Sequence, residues 1–406
     1  MQDIYIARQP IFDRALNVYG YELLCRPAGR TPVASDDGDA ATSEVILNTF
    51  TVFGLDELVG ARLAFINLTR AFLVDRHPVP FPPERVVLEV LEDTEPDAEL
   101  LEALARLRRA GYRIALDDFV YQPRLEPLVR AAHLVKVEVP RIPPAELAAQ
   151  ARQLRRLGVD LLAEKVETQV VFEQCRDAGF QYFQGFFFER PSVMRGSTLA
   201  TPRLQALNLL ARLQAPEQDT DALVALISND LGLSYKLLRY LNSPLFRTPR
   251  PVDSVRRAVI YLGARELRTW ASLMALASVP GKPQELATSF MVRARLCQSL
   301  GREAGLADPD SCFTAGLFSG LDALLDAPMD ELLAKLPLAE AVREALLHRQ
   351  GEVGRLLEAV IELQRGEPTG LARLGFPADQ VNALHAQAIR WAEAVTRLGS
   401  GPDADH

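Results

Sequence analysis

The sequence predicts a (β/α)8 barrel, an α/β fold, followed by an all-helical domain. Three observations carry this. In the first half, apolar strand-like runs alternate with helical stretches that end at glycines, as at Gly111, Gly158 and Gly179. A polar residue stands in or just after nearly every apolar run. From about residue 203 the strand pattern stops, and helical spacing continues almost to the end of the chain.

At 406 residues the chain exceeds one ordinary core. Boundaries are expected at 1–198 for the barrel and 199–398 for the helical domain, with a disordered tail over 399–406. A linker is expected over 191–202, where Pro, Gly and Ser gather. Hydrophobic content of 48% with 24% charged residues is that of a globular protein, and the net charge of −8 argues against a nucleic-acid partner. Cys25, Cys175, Cys297 and Cys312 have neither CxxC spacing nor a partner histidine, so they read as small buried hydrophobes. No apolar run approaches ~18 residues, so no membrane span is predicted. The first residues show no basic-then-apolar pattern, and a cytoplasmic location is expected.

The elements follow in order. Residues 4–8 and 17–24 are β-prone around a turn at Asp13–Asn17, suited to a hairpin. A loop over 27–40 precedes a helix over 42–53. Strands are expected at 63–68, 86–90, 112–116, 134–137, 159–163 and 180–187. Helices are expected at 69–75, 97–110, 144–157 and 169–178. The second half reads as helices at 203–213, 220–230, 233–241, 253–261, 264–278, 285–303, 311–325, 338–347, 351–365 and 378–397.

The polar residues at the strand ends are Glu22, Asn67, Glu89, Asp117 with Asp118, Lys136, Glu164 and Gln184. In a βα barrel the carboxyl ends of the strands converge on one mouth. One or two such residues would be helix caps, but a series over successive strands reads as a site. Its carboxylates and amide, with no His or Cys, suit Mg²⁺, Mn²⁺ or Ca²⁺ and not zinc. An adjacent Asp pair can bridge two metals in phosphodiester hydrolysis. Lys136 would orient water or phosphate, and Glu164 would be a metal ligand or general base.

At these residues the chain resembles the EAL domain of cyclic di-GMP phosphodiesterases. The motifs run in order across residues 5–191: Gln9-Pro10-Ile11, Glu22-Leu23-Leu24-Cys25-Arg26, Ile66-Asn67, Glu89-Val90-Leu91-Glu92, Asp117-Asp118-Phe119, Lys136 with Glu138, Ala163 to Thr168, and Gln184-Gly185-Phe186 through Pro191. The resemblance implies Mg²⁺ or Mn²⁺ held by Glu22, Asn67, Glu89, Asp117 and Asp118. It implies Arg26 on phosphate, Lys136 on a metal-bound water, and Glu164 on the attacking water or a metal. Gln184 is expected to bind substrate or support the site, with Glu92, Glu138 and Glu167 in support. Two departures stand out. The family's Gly-rich loop is replaced by Val120 to Glu126 with Pro123, and Lys165 replaces a glycine between two site acids.

The second half resembles the HDOD domain, through Leu226 to Ser243 and Val255 to Gly263. That domain is related to HD-type phosphohydrolases but generally lacks their His-Asp ligands. His348, His385 and His406 are its histidines here, and none precedes an Asp. His348 and His385 are expected at the surface or at helix ends. Tyr235, Lys236, Arg239, Tyr240 and Asn242 read as a tyrosine pair in the core with ordinary exposed cations; the alternative is a partner or nucleotide surface. The whole reads as a bacterial signalling regulator that acts on protein partners through its HDOD half, with a barrel that has lost turnover. The alternatives are an active metal-dependent cyclic di-GMP phosphodiesterase and a cyclic di-GMP sensor. A homodimer is compatible with each.

Overall fold

The computed structural model describes residues 4–27, 54–74, 79–91, 96–186, 201–215, 219–243 and 252–399. The expected helix over 42–53, the expected linker up to residue 200 and the tail from 400 lie outside them, as does Glu92. The chain divides into two compact units, Met1–Phe188 with Ile361–Ala386, and Glu189–Val360 with Gln387–His406. Residues 361–386, which fall within the expected 199–398 helical domain, group with the barrel residues.

The barrel closes in the order β1 (Ile4–Phe12), β2 (Val18–Pro27), β3 (Leu63–Leu68), β4 (Val86–Val90), β5 (Arg113–Leu116), β6 (Leu134–Glu138), β7 (Asp160–Glu164) and β8 (Tyr182–Phe183). From β2 to β8 the pairings are parallel, whereas β1 runs antiparallel to both of its neighbours. The cause is the tight Asp13–Asn17 turn. The Asp13 carboxylate accepts from the backbone N–H of Ala15 (2.8 Å) and Asn17 (2.9 Å), and Leu16 takes a positive φ of 66°. A loop that short can join only antiparallel strands.

Between the strands lie α1 (Leu55–Val59), α2 (Arg70–Val74), α3 (Ala98–Arg109), α4 (Glu126–Ala131), α5 (Pro144–Arg155) and α6 (Gln169–Ala178). Asp97 and Thr168 cap α3 and α6 through their side chains, and Gly179 ends α6 in the left-handed conformation. Ile11, Phe65, Val87, Ala115, Leu134 and Leu162 pack together as the barrel's inner layer. A Cβ on Gly20 would sit 2.8 Å from the Phe65 ring and 2.9 Å from the Leu63 carbonyl, so only glycine admits that ring.

Among the described residues β1 meets β8 only at Phe12, so along its earlier residues no described strand lies on its other edge. Asn382 covers it as a strand would. Its Oδ1 accepts from Ile6 N (2.8 Å), and its Nδ2 donates to Ile4 O (2.6 Å). The Tyr5 hydroxyl donates to Phe376 O (2.7 Å), and His385 Nδ1 lies 3.2 Å from Ile6 O. His385 is therefore buried, at 4% exposure and inside a helix, against the surface or helix-end position expected for it.

The remaining elements are α7 (Thr201–Leu213), α8 (Thr220–Ser228), α9 (Leu231–Leu241), α10 (Val255–Ala277), α11 (Gln284–Glu303), α12 (Pro309–Phe318), α13 (Leu321–Leu325), α14 (Met329–Leu333), α15 (Glu340–His348), α16 (Gly351–Gln364), α17 (Thr369–Arg373) and α18 (Ala378–Gly399). Asp219, Asp230 and Ser254 cap α8, α9 and α10. Gly263 breaks α10 with a φ of 79°, the stop expected there. The expected tyrosine pair divides: Tyr240 packs on Trp270 at 6.1 Å between ring centroids, while Tyr235 is 62% exposed. His348 is exposed at the end of α15, as expected. Among the described residues, no helix is long and apolar enough to cross a membrane.

Candidate active site

Five of the six residues of the inner layer, all but Ile11, are followed two positions later by a site residue. Phe65 leads to Asn67, Val87 to Glu89, Ala115 to Asp117, Leu134 to Lys136, and Leu162 to Glu164. A strand repeats its face every two residues, so the apolar layer dictates the polar one above it.

Lys136 is the centre. It is fully buried, and its Nζ lies 2.7 Å from Asp117 Oδ1, 2.8 Å from Glu89 Oε1, 3.1 Å from Glu164 Oε1 and 3.3 Å from Glu22 Oε2. Burial works to lower the Lys136 pKa, but Glu22, Glu89, Glu164 and Asp117 together hold it well above its usual value. Burial pushes Glu89 well above the carboxylate range against the pull of Lys136, and Glu22 and Asp117 add to the rise. Burial likewise raises Glu164 to about 8, again against Lys136. One ammonium thus faces four carboxyl groups in a buried site, more than it can balance once all are ionised, which is why Glu89 and Glu164 hold their protons.

Around this core, Gln184 Nε2 donates to Glu22 Oε2 (2.6 Å) and to Gln9 Oε1 (3.1 Å), and Asn67 Nδ2 donates to Glu22 Oε1 (3.3 Å). Gln9 belongs to this network, a role its motif did not reveal. The available signal was register, since Gln9 pairs across the hairpin with Glu22. Gly185 holds Gln184 in place. Its φ is 147°, its position beside the backbone of Val166 leaves no room for a Cβ, and Val166 N donates to Gln184 O (3.0 Å).

Asp118 has a φ of 45°, which breaks the strand alternation after Asp117. Asp117, Asp118 and Glu164 thereby bring carboxylate oxygens within 4.8 Å of one another, as do Glu22, Glu89 and Asp117. Asp118 has a raised pKa, first from burial and then from Asp117, with Lys165 opposing. Lys165 itself ion-pairs with Glu138 Oε1 at 2.8 Å, and Arg141 holds the other Glu138 oxygen at 2.5 Å. Arg26, at the end of β2, and Glu167 are exposed.

The donor set fits a divalent cation. Asn67 Oδ1, Glu89 Oε2, Glu164 Oε2 and Gln184 Oε1 are buried with no hydrogen-bond partner. Unmatched buried oxygens beside surplus carboxylate charge are what a hard cation requires.

Residues 199–357 match the HDOD domain model. The chain is 34% identical over 407 residues to the cyclic di-GMP phosphodiesterase CdgJ of Vibrio cholerae, covering 98% of this chain and 94% of that protein. It is 31% identical over 399 residues to YuxH of Bacillus subtilis, covering 96% and 98%. The chain is an EAL–HDOD protein. Among solved structures it is similar to Klebsiella pneumoniae BlrP1 in complex with calcium and cyclic di-GMP, at 26% identity and TM-score 0.40, over 47% of this chain and 56% of that one. The EAL–HDOD chain thus spans little more than half of BlrP1. It is also similar to Bacillus subtilis YkuI, which has an EAL domain, at 20% identity and TM-score 0.38, over 56% and 74%.

Proposed function

We propose that this EAL–HDOD protein hydrolyses cyclic di-GMP, the activity that the name of CdgJ gives that relative, and that it does so at the barrel mouth with divalent metal. One observation carries the reading: Lys165 is engaged by Glu138, leaving the Asp117–Asp118–Glu164 group able to hold a cation. Glu22, Asn67, Glu89 and Asp117 would hold one ion, and Asp117, Asp118 and Glu164 a second, with Mg²⁺ or Mn²⁺ the suitable ions. Such ions supply positive charge for the phosphate oxygens and activate water. The chain's own residues do the rest. Lys136 fixes the carboxylates in place. Gln184 and Asn67 orient Glu22. Glu164 is the base for the attacking water, and Arg26 is the phosphate contact at the rim. Water adds to phosphorus, a ribose oxygen leaves with a proton, and the ring opens to a linear dinucleotide.

A second reading, a regulator acting on protein partners through the HDOD half, is favoured by the segment after Asp118. There Pro123 starts a short 3-10 turn, and Val120 is 52% exposed. The full chain incubated with cyclic di-GMP and Mn²⁺ or Mg²⁺ decides between them. Linear product that is lost with EDTA and in Glu22→Ala is expected. Neither product nor bound cyclic di-GMP under any metal condition would sink the proposal and leave the partner reading.

A further inference from the structure

The opposite, amino-terminal end of the barrel holds a cavity of about 540 Å³. That is within the ~300–1,000 Å³ range of small-molecule sites. Its floor is the apolar layer itself, through Phe65, Val87 and Leu134. Those residues are two positions before Asn67, Glu89 and Lys136, so one layer of side chains separates the cavity from the carboxylate cluster.

The walls carry a specific chemistry. Tyr19 and Tyr182 stack with ring centroids 4.1 Å apart and offer an aromatic face. Arg113 donates one N–H to the Tyr19 hydroxyl (2.8 Å), and Arg108 donates one to Arg130 O (2.9 Å). A guanidinium has five N–H donors in a fixed fork, so each arginine keeps capacity for an anion. His133 accepts from Ile114 N at Nδ1 (3.1 Å), which places the hydrogen of the neutral ring on Nε2, a further donor. Burial, then Arg108 and Arg113, lower the His133 pKa, which places both arginine charges close to the ring. Asp160 adds one carboxylate to the lining.

We propose that this cavity binds a nucleoside monophosphate. The arginines and His133 take the phosphate, since the two arginine charges exceed the single carboxylate of the lining. The tyrosine pair takes the base by stacking, and Asp160 accepts from base N–H groups. Guanine offers two adjacent donors to a carboxylate, so guanosine 5′-monophosphate is the probe of choice. The proposal does not depend on turnover at the mouth.

Calorimetric titration of the full chain with guanosine 5′-monophosphate, in EDTA so that no metal occupies the mouth, tests it. Saturable one-to-one binding is expected. Arg113→Gln should weaken it by about tenfold or more, since a hydrogen bond to a charged group is lost. Arg108→Gln, an exposed change with little bearing on folding, should act in the same direction. Glu89→Gln at the mouth should leave the affinity unchanged. Absence of saturable binding would overturn the proposal. So would binding lost in Glu89→Gln but kept in both arginine variants, which would place the nucleotide at the mouth. Inorganic phosphate binding as tightly as the nucleotide would overturn the assignment of the base to the tyrosine pair.

Discussion

The Lys165 ammonium lies 2.8 Å from Glu138 Oε1, although its own backbone directly follows the site acid Glu164. From the sequence alone, a lysine in a glycine's place reads either as a cation in the second metal's position or as one that points away. The ion pair gives it another use, and Lys165 still takes a φ of 53°, which a side chain disfavours.

Lys165→Gly should therefore be tolerated. Relief of the left-handed strain is worth ~1 kcal/mol. The lysine of the lost ion pair is about half exposed, and Glu138 keeps Arg141 as a partner, so the loss is that of a surface pair, ~0–1 kcal/mol. Thermal unfolding is expected to show little change or a small gain in midpoint. The proposed metal-dependent hydrolysis is expected to stay within about threefold of wild type, the kinetic equivalent of that exposed pair. Loss of turnover beyond a hundredfold would show that Lys165 works inside the site.

Lys136→Met should be severe. It leaves Glu22, Glu89, Asp117 and Glu164 around an apolar side chain with no cation among them. Removing one partner of a buried ion pair costs roughly 3–5 kcal/mol. Denaturant titration should show a loss of that size in EDTA, partly restored by Mn²⁺, which supplies the missing positive charge. A variant as stable as wild type in EDTA would contradict the charge imbalance described for this cluster.

Gly20→Ala tests the layer beneath the site. The new methyl would lie 2.8 Å from the Phe65 ring and 2.9 Å from the Leu63 carbonyl. Phe65 is fully enclosed and cannot swing away, and the carbonyl belongs to the strand. Overpacking of this kind costs about 1–3 kcal/mol. Because Asn67 stands two residues after Phe65, metal affinity should fall along with stability. A variant with unchanged stability would show that the ring has room to move.

Much of the barrel was legible because two signals coincided. Apolar runs with period-two faces gave the strands, and the polar residue ending each run gave the mouth, so Glu22, Asn67, Glu89, Asp117, Lys136 and Glu164 could be read off together. Three features were not legible, because each depends on contacts between residues distant in sequence. The turn at Asp13–Asn17 gave the antiparallel hairpin of β1 with β2, but nothing in a strand pattern tells that β1 also meets β8 antiparallel. The partner of Lys165 lies on another strand, 27 positions away, and neither of the two motifs that hold the residues says that they pair. His385 sits in an amphipathic helix indistinguishable from its neighbours until Asn382, three residues before it, is seen bonded to β1.

His385 gives the pH dependence of this β1 contact. Its ring is buried, and burial followed by the charge of Arg8 pushes its pKa down to about 4, against the Ile6 carbonyl that favours the charged form. A folded-state pKa below the unfolded value of 6.5 means that the unfolded chain binds the proton more readily. The stability from a neutral His385 is thus fully present above the unfolded pKa. It is lost as pH falls from about 6.5 toward 4. Between pH 7 and pH 5 the loss amounts to about 2 kcal/mol. The raised pKa values of Glu89 and Glu164 act in the opposite direction, so the difference between wild type and variant is the informative quantity. His385→Gln, which keeps an amide donor for Ile6 O but does not titrate, should be less stable than wild type at pH 7 and should close that gap by about 2 kcal/mol at pH 5. Denaturant unfolding of both proteins at the two pH values measures it. A gap independent of pH would mean that His385 is not held neutral by its burial against β1.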